Sequence, residues 1–240
     1  MVLMAVALAL EFFFKFANPA SPIESIKDIH TGSDTGALYG PFAGDLFAAH
    51  SGDKTLIYGL DGRLRFAVVI PSRQWVVPSN PNVPGIKENL ELIDYDDPKN
   101  FERIRHTDFA YQHYLFSRKV DWLKQSLNAS FAAIDKELYV HVARIQSVTS
   151  EERKHLIWIG SSHKDAYIED VVYLVNPKKR RSLPLIGLRY EPMPDELSDR
   201  GRLFGQLISG SDKSSFFLSS WDTNTIYLIK IKASAIERVK

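Results

Sequence analysis

After residue 38 the chain reads as short apolar, β-branched and aromatic runs separated by polar turns. KTLIYGL (Lys54 to Leu60) and RLRFAVVI (Arg63 to Ile70) flank Asp61-Gly62. A two-residue Asp-Gly loop between such runs predicts an antiparallel hairpin, because glycine accepts the positive φ that a tight turn demands. LYVHVARI (Leu138 to Ile145) and HLIWIG (His155 to Gly160) flank the polar stretch QSVTSEERK and predict a second pair with a longer connection. A third pair runs from Tyr167 to Val175 and from Leu183 to Tyr190 around NPKKRRS, where Pro177 cannot continue a strand. A fourth, Ser215 to Trp221 with Thr225 to Lys232, turns at Asp222-Thr223-Asn224.

Three stretches repeat one pattern: LFAAHSGDKTLIYGLDG, IWIGSSHKDAYIEDVVYLVNP and QLISGSDKSSFFLSSWDTN. Each has an apolar run, a bend carrying Ser, Asp and Lys, a second apolar or aromatic run, then a turn with Asp or Asn. The bend aspartates are Asp53, Asp165 and Asp212, spaced as an irregular unit near 50 residues with one unit unrecognised. Strand-turn-strand units of that length resemble β-propeller blades. The expected fold is therefore mainly β, with antiparallel hairpins in blade-like repeats forming a small propeller-like ring or paired sheets. Residues 99 to 134 hold the alternative. Phe101, Ile104, Phe109, Leu115, Phe116, Leu123, Leu127 and Phe131 fall at helical spacing after a capping Asp96-Asp97-Pro98, which would make the fold α+β. DFAYQHYLF alternates like a strand instead, and a further hairpin can turn at Asp135-Lys136.

The start of the chain is different in character. Val2 to Leu10 is nine unbroken apolar residues, followed by Glu11, three phenylalanines and Lys15. That is the length of a signal-peptide core, although no Lys or Arg precedes it, and it is short of a membrane span. Residues 1–20 are expected to be a signal or membrane-tethering segment, with membrane contact through residues 1–17, and 21–240 a single domain. Asn18-Pro19-Ala20-Ser21-Pro22 is the junction. The expected location is outside the cytoplasm or tethered to a membrane, the alternative being cytoplasmic.

Composition narrows the chemistry. With 240 residues at 45% hydrophobic and 25% charged, the chain can bury a core without metal or disulfide, so no cofactor is expected. Zero cysteines exclude thiol nucleophiles and thiolate zinc sites. A net charge of +1 lacks the footprint of a protein that neutralises many phosphates, so nucleic acid is not an expected partner.

Asp34-Thr35-Gly36 is the tripeptide that carries the catalytic carboxylate of aspartic proteases. Here polar residues precede it and no second copy exists, so it reads as a turn. His106 and His113 stand two helical turns apart, too far to grip one ion. Asp94-Tyr95-Asp96-Asp97 breaks the calcium-loop pattern at Pro98. Lys178 to Arg181 is a basic run able to touch phosphate or acidic lipid headgroups.

The candidate binding positions are the polar and aromatic residues of the bends and turns: His50, Asp53, His163, Asp165, Trp221 and Asp222. The function expected is a non-catalytic binding or scaffold module that presents loops to a protein or glycan. The alternative is a hydrolase in which two or more of Asp34, His50, Asp53, His163 and Asp165 meet in one pocket.

Overall fold

The computed structural model describes residues 21–32, 35–42, 45–69, 74–78, 90–94, 116–125, 130–160, 168–191, 206–219 and 224–240. Across these the chain is mainly β, in antiparallel sheets. A central sheet has the order β1 (Ile23–His30), β15 (Thr225–Ile231), β14 (Ser215–Ser219), β13 (Gln206–Ser209). A five-stranded sheet runs β10 (Ile157–Gly160), β12 (Arg181–Tyr190), β11 (Ile168–Asn176), β9 (Tyr139–Arg144), β8 (Phe131–Ala133). The third sheet is β2 (Thr35–Phe42), β3 (Leu46–Ser51), β4 (Lys54–Gly59), β5 (Leu64–Val69), and β6 (Gln74–Pro78) pairs with β7 (Leu90–Asp94). Two short helices, α1 (Ser150–His155) and α2 (Ala233–Val239), complete the named elements. Among the described residues no helix is long and apolar enough to cross a membrane.

The central sheet is apolar on both faces because it lies between two others. Phe216, Leu218, Ile229 and Ile231 pack with Val140, Val172 and Leu174 of the five-stranded sheet. Their alternates Phe217 and Ile226 pack with Phe47, Leu56 and Tyr58 of the third. Such strands lose the polar-apolar alternation of a sheet with one wet face. Gln206, itself buried, accepts a hydrogen bond from the Leu38 amide and ties β13 to β2. On the far face of the five-stranded sheet, Phe116, Val120 and Leu123 cover Ala143, Val171 and Tyr173.

Several expectations hold. β4 pairs with β5, β11 with β12, and β14 with β15, all antiparallel. β8 and β9 form the further hairpin around Asp135-Lys136. The Asp61-Gly62 turn is one residue longer than expected. Gly59 N–H donates to Arg63 O at 2.9 Å and Gly62 N–H to Gly59 O at 2.9 Å, so Leu60 joins the turn and is buried in it. Gly62 has φ 77°, and a Cβ there would meet Ile29 Cδ1 at 3.1 Å. Gly62→Val combines backbone strain with overpacking and is expected to destabilise by about 2–4 kcal/mol. Thermal or urea unfolding checks this.

Other expectations are corrected. β9 and β10 do not pair: β10 crosses to the opposite edge and runs parallel to β12. The polar stretch between them makes this possible by folding rather than turning. Thr149 Oγ1 accepts from Glu152 N–H at 3.2 Å while Glu152 Oε2 accepts from Thr149 N–H at 2.9 Å, a capping box that starts α1. Of residues 99 to 134, the described part is mixed: 116–119 form a helical turn and Phe131–Ala133 a strand. The strand-like DFAYQHYLF lies outside the described residues except for its last residue, Phe116.

The shared sequence pattern does not mark equivalent positions. Asp53 turns between β3 and β4, the two inner strands of its sheet, whereas Asp212 turns between β13, an edge strand, and β14. The described sheets form no closed ring.

Candidate functional site

Strand register gives the described sheets two distinct ends. At one end, the β11–β12 tip meets the β8–β9 turn through Lys178 Nζ to Glu137 Oε1, 3.0 Å, and that turn meets the β13–β14 turn through Lys213 Nζ to Asp135 Oδ1, 3.7 Å. A pocket of about 230 Å³ lies there, with Leu138 and Ile236 among its walls and Lys213, Lys240, Asp135 and Glu237 around it.

The other end gathers different residues. Gly160 pairs with Arg189 and Ile168 with Tyr190, so 161–167 join strands at the end remote from the tip. Ser219 pairs with Ile226 at the matching end of the central sheet, where 220–223 join β14 to β15. Leu38 reaches Gln206 at that level, and the Ser51–Lys54 turn pair lies beyond it along β2 and β3. The flanks of the Asp53 and Asp165 bends and of the Trp221-Asp222 turn thus leave the sheets at one end, in the five-stranded sheet about 30 Å from the basic tip along the ten residues of β12, whereas the Asp212 bend lies at the tip end.

His50 and Asp53 sit on the β3–β4 turn. His50 Nδ1 lies 3.2 Å from the Lys54 carbonyl and so donates to it, and Asp53 is exposed. The two flank one turn. His163, Asp165, Trp221 and Asp222 lie outside the described residues, as do Asp34, His106 and His113. Thr35 of the Asp-Thr-Gly tripeptide begins β2, rather than following an apolar strand. Among the described residues no group of three or more His, Asp or Glu is placed to hold a metal.

The same end of the five-stranded sheet carries a cluster that sequence reasoning missed. Trp158 lies on edge strand β10 opposite Gly187 in register, and a Cβ at Gly187 would fall 2.5 Å from indole Cε3, so the ring rests on glycine backbone. The Arg189 guanidinium stands 4.3 Å from the ring centroid and that of Arg153, on α1, 5.3 Å. Glu169 binds both: Arg189 Nε donates to Oε1 at 3.0 Å, and Arg153 Nη2 donates to Oε2. The Glu169 side chain is only 10% exposed, against 32% for Arg189 and 45% for Arg153. One nearly buried carboxylate thus bridges two guanidiniums beside a half-buried indole. Tryptophan and arginine held in this way are the residue types that anchor interfaces. Glu169 is directly opposite Arg189 across the ladder, so the pair is readable once the register is known; Arg153 and Trp158 depend on the crossing of β10.

Buried polar groups elsewhere serve the framework. His141 is fully buried, and its Nδ1 donates to the Ser130 carbonyl at 3.1 Å among Phe116, Phe131 and Tyr139. Tyr190 donates to the buried Asp170. Burial pushes the Tyr173 hydroxyl far up, helped by the nearby Glu152 charge.

Three turn carboxylates are held below their ordinary range. Asp61 accepts from the Arg63 N–H and faces Arg65; Asp135 accepts from the Lys136 N–H near Lys213. For Asp212 burial opposes ionisation, but hydrogen bonds from Ser214 and Ser215 outweigh it. A depressed carboxylate contributes stability that is present above its unfolded value, about 3.9, and is lost as pH falls through its lower folded value. The melting temperature is therefore expected to fall as pH drops below about 4, and less steeply in Asp212→Asn.

Compared with known protein families and with curated proteins, the sequence matches neither.

Proposed function

We propose that the chain is a non-catalytic binding module, outside the cytoplasm or at a membrane, that presents the end of its sheets remote from the basic tip to a protein or glycan partner. The observation that carries this reading is the shared exit. The connections holding His50 and Asp53, His163 and Asp165, and Trp221 and Asp222 leave three sheets at one end, beside the Trp158 cluster. Loops on a rigid β scaffold are where recognition residues concentrate.

For the framework we propose a blade-like arrangement. Two features support it: β1 completes the sheet of β13 to β15, and β13 packs on β2 on one side and β8 on the other. Inner strands in succession are what a propeller needs.

The absence of cysteine allows a direct test. Lys54→Cys places a single fluorescent label on the exposed turn beside Asp53, and the labelled chain is read against a glycan array and against candidate cell-surface proteins. Saturable binding that shifts the label, and is weakened about 30-fold by Trp158→Ala, is the expected result. Turnover of an ester, peptide or glycoside substrate that disappears in His163→Ala or Asp165→Asn would replace this reading with the hydrolase.

A further inference from the structure

We infer that the end of the sheets around the β11–β12 tip, opposite the candidate binding positions, is the surface by which the chain sits on an anionic lipid bilayer. The β8–β9 turn (135–137), the β11–β12 tip (177–181), the β13–β14 turn (210–214), the stretch 230–240 and the first residues of β1 converge there. Ion pairs link the first three, Lys179 Nζ donates to the Lys240 carbonyl, and Lys232 N–H donates to the Pro22 carbonyl at 2.9 Å. With residues 22–24 included, these segments hold ten lysines and arginines against five carboxylates, an excess of five, while the whole chain carries +1.

The excess is presented to solvent. Glu137, Asp135, Glu237 and Glu24 are each paired with a lysine, whereas Lys136, Arg180, Arg181 and Arg238 stand exposed around them. At the tip, Arg180 adopts φ 52°, which brings three further cations beside it on a tight turn. The surface is thus a cationic face about one sheet stack wide and not a solitary basic loop.

A basic face alone fits any polyanion; the bilayer is indicated by what joins the chain at this end. Residues 1–17, with nine unbroken apolar residues and three phenylalanines, lead into Pro22, which is hydrogen bonded at the start of α2. Stable attachment to a bilayer takes two signals, an apolar insertion and a polybasic surface close to it. The described chain begins at the basic end, so the apolar segment joins it there in sequence. The orientation holds the opposite end about 30 Å from the lipid. The inference stands whether or not the bends bind a partner.

The test uses the full chain and vesicles of phosphatidylcholine, with and without phosphatidylserine, read by co-sedimentation. Binding is expected to be stronger to the anionic vesicles and to weaken with added salt. Arg180→Glu with Arg181→Glu should reduce it by about ten-fold or more at unchanged melting temperature. Lys54→Glu at the opposite end should leave it unchanged. Equal binding to both vesicles, binding indifferent to the double variant, or no binding would overturn the inference. So would preferential binding of a single-stranded RNA or duplex DNA.

Discussion

Phe217→Ala is expected to destabilise the chain by about 3–5 kcal/mol, enough to consume much of a typical folding margin. Phe217 is fully buried at the centre of the middle sheet, with its ring 4.4 Å from that of Phe47. Strand neighbours Phe216 and Leu218 point to the other face, so neither can move into the space it leaves. The hole would lie between two sheets whose backbones are fixed by ladders. Collapse is then limited, and a poorly relaxed cavity gives the larger values in the range. Chemical denaturation at constant slope would measure the loss; a loss under about 1 kcal/mol would show that the two sheets are not in close contact.

Removal of β1 should be more severe. A chain beginning near Ser21 is expected to be soluble and to melt close to the full-length value, since the tethering reading places residues 1–20 outside the core. A chain beginning after Gly32 loses seven cross-strand partners and the buried side chains of Ile23 and Ile29. Each isoleucine contributes roughly 1.5–3 kcal/mol when fully buried. The exposed edge of β15 would then offer a long unpaired strand to neighbouring molecules. Aggregation or an absent thermal transition is the expected result for the shorter chain, and paired circular dichroism melts of the two would decide it. Equal stability of both would mean that β15 does not need its outer partner.

The contrast between these two truncations marks what the sequence could disclose. Pairs joined by short turns were legible from local chemistry: Gly62 at a positive-φ turn, Pro177 at a strand end, Asp135-Lys136 between two short runs. β1 was not. Its apolar residues, Ile23, Ile26 and Ile29, break strict alternation because the register shifts between Ile23 and Ser25 and because Ile26 and Ile29 pack on opposite faces of the sheet, and its partner lies about 200 residues away. No local pattern encodes a pairing of that range. β10 was missed for a related reason. HLIWIG reads equally well beside β9 or β12, and only the helix-starting capping box at Thr149 and Glu152 separates the two. The similar bends at Asp53 and Asp212 differ in phase, because Ser-Asp-Lys turn chemistry suits any hairpin. Turn chemistry identifies a bend without saying which strands it joins. Of the candidate site, the bends were legible as loops, whereas the Trp158 cluster depends on three separate segments meeting.

The pairing of β1 with β15 also sets a timetable. Ribosomes add about 5–20 residues per second, so the outer strand of the central sheet waits roughly 10–40 s for its neighbour to be made. During that interval Ile23 and Ile29 have no place to go, and the nascent chain must keep a strand available without spending it on a neighbour. The charged residues of IESIKDIH, Glu24, Lys27 and Asp28, suit that wait, since they make an unpaired strand a poor template for other chains. The β1–β15 pairing is then among the last made, and mutations that slow translation late in the chain would lengthen the vulnerable period without altering the finished protein.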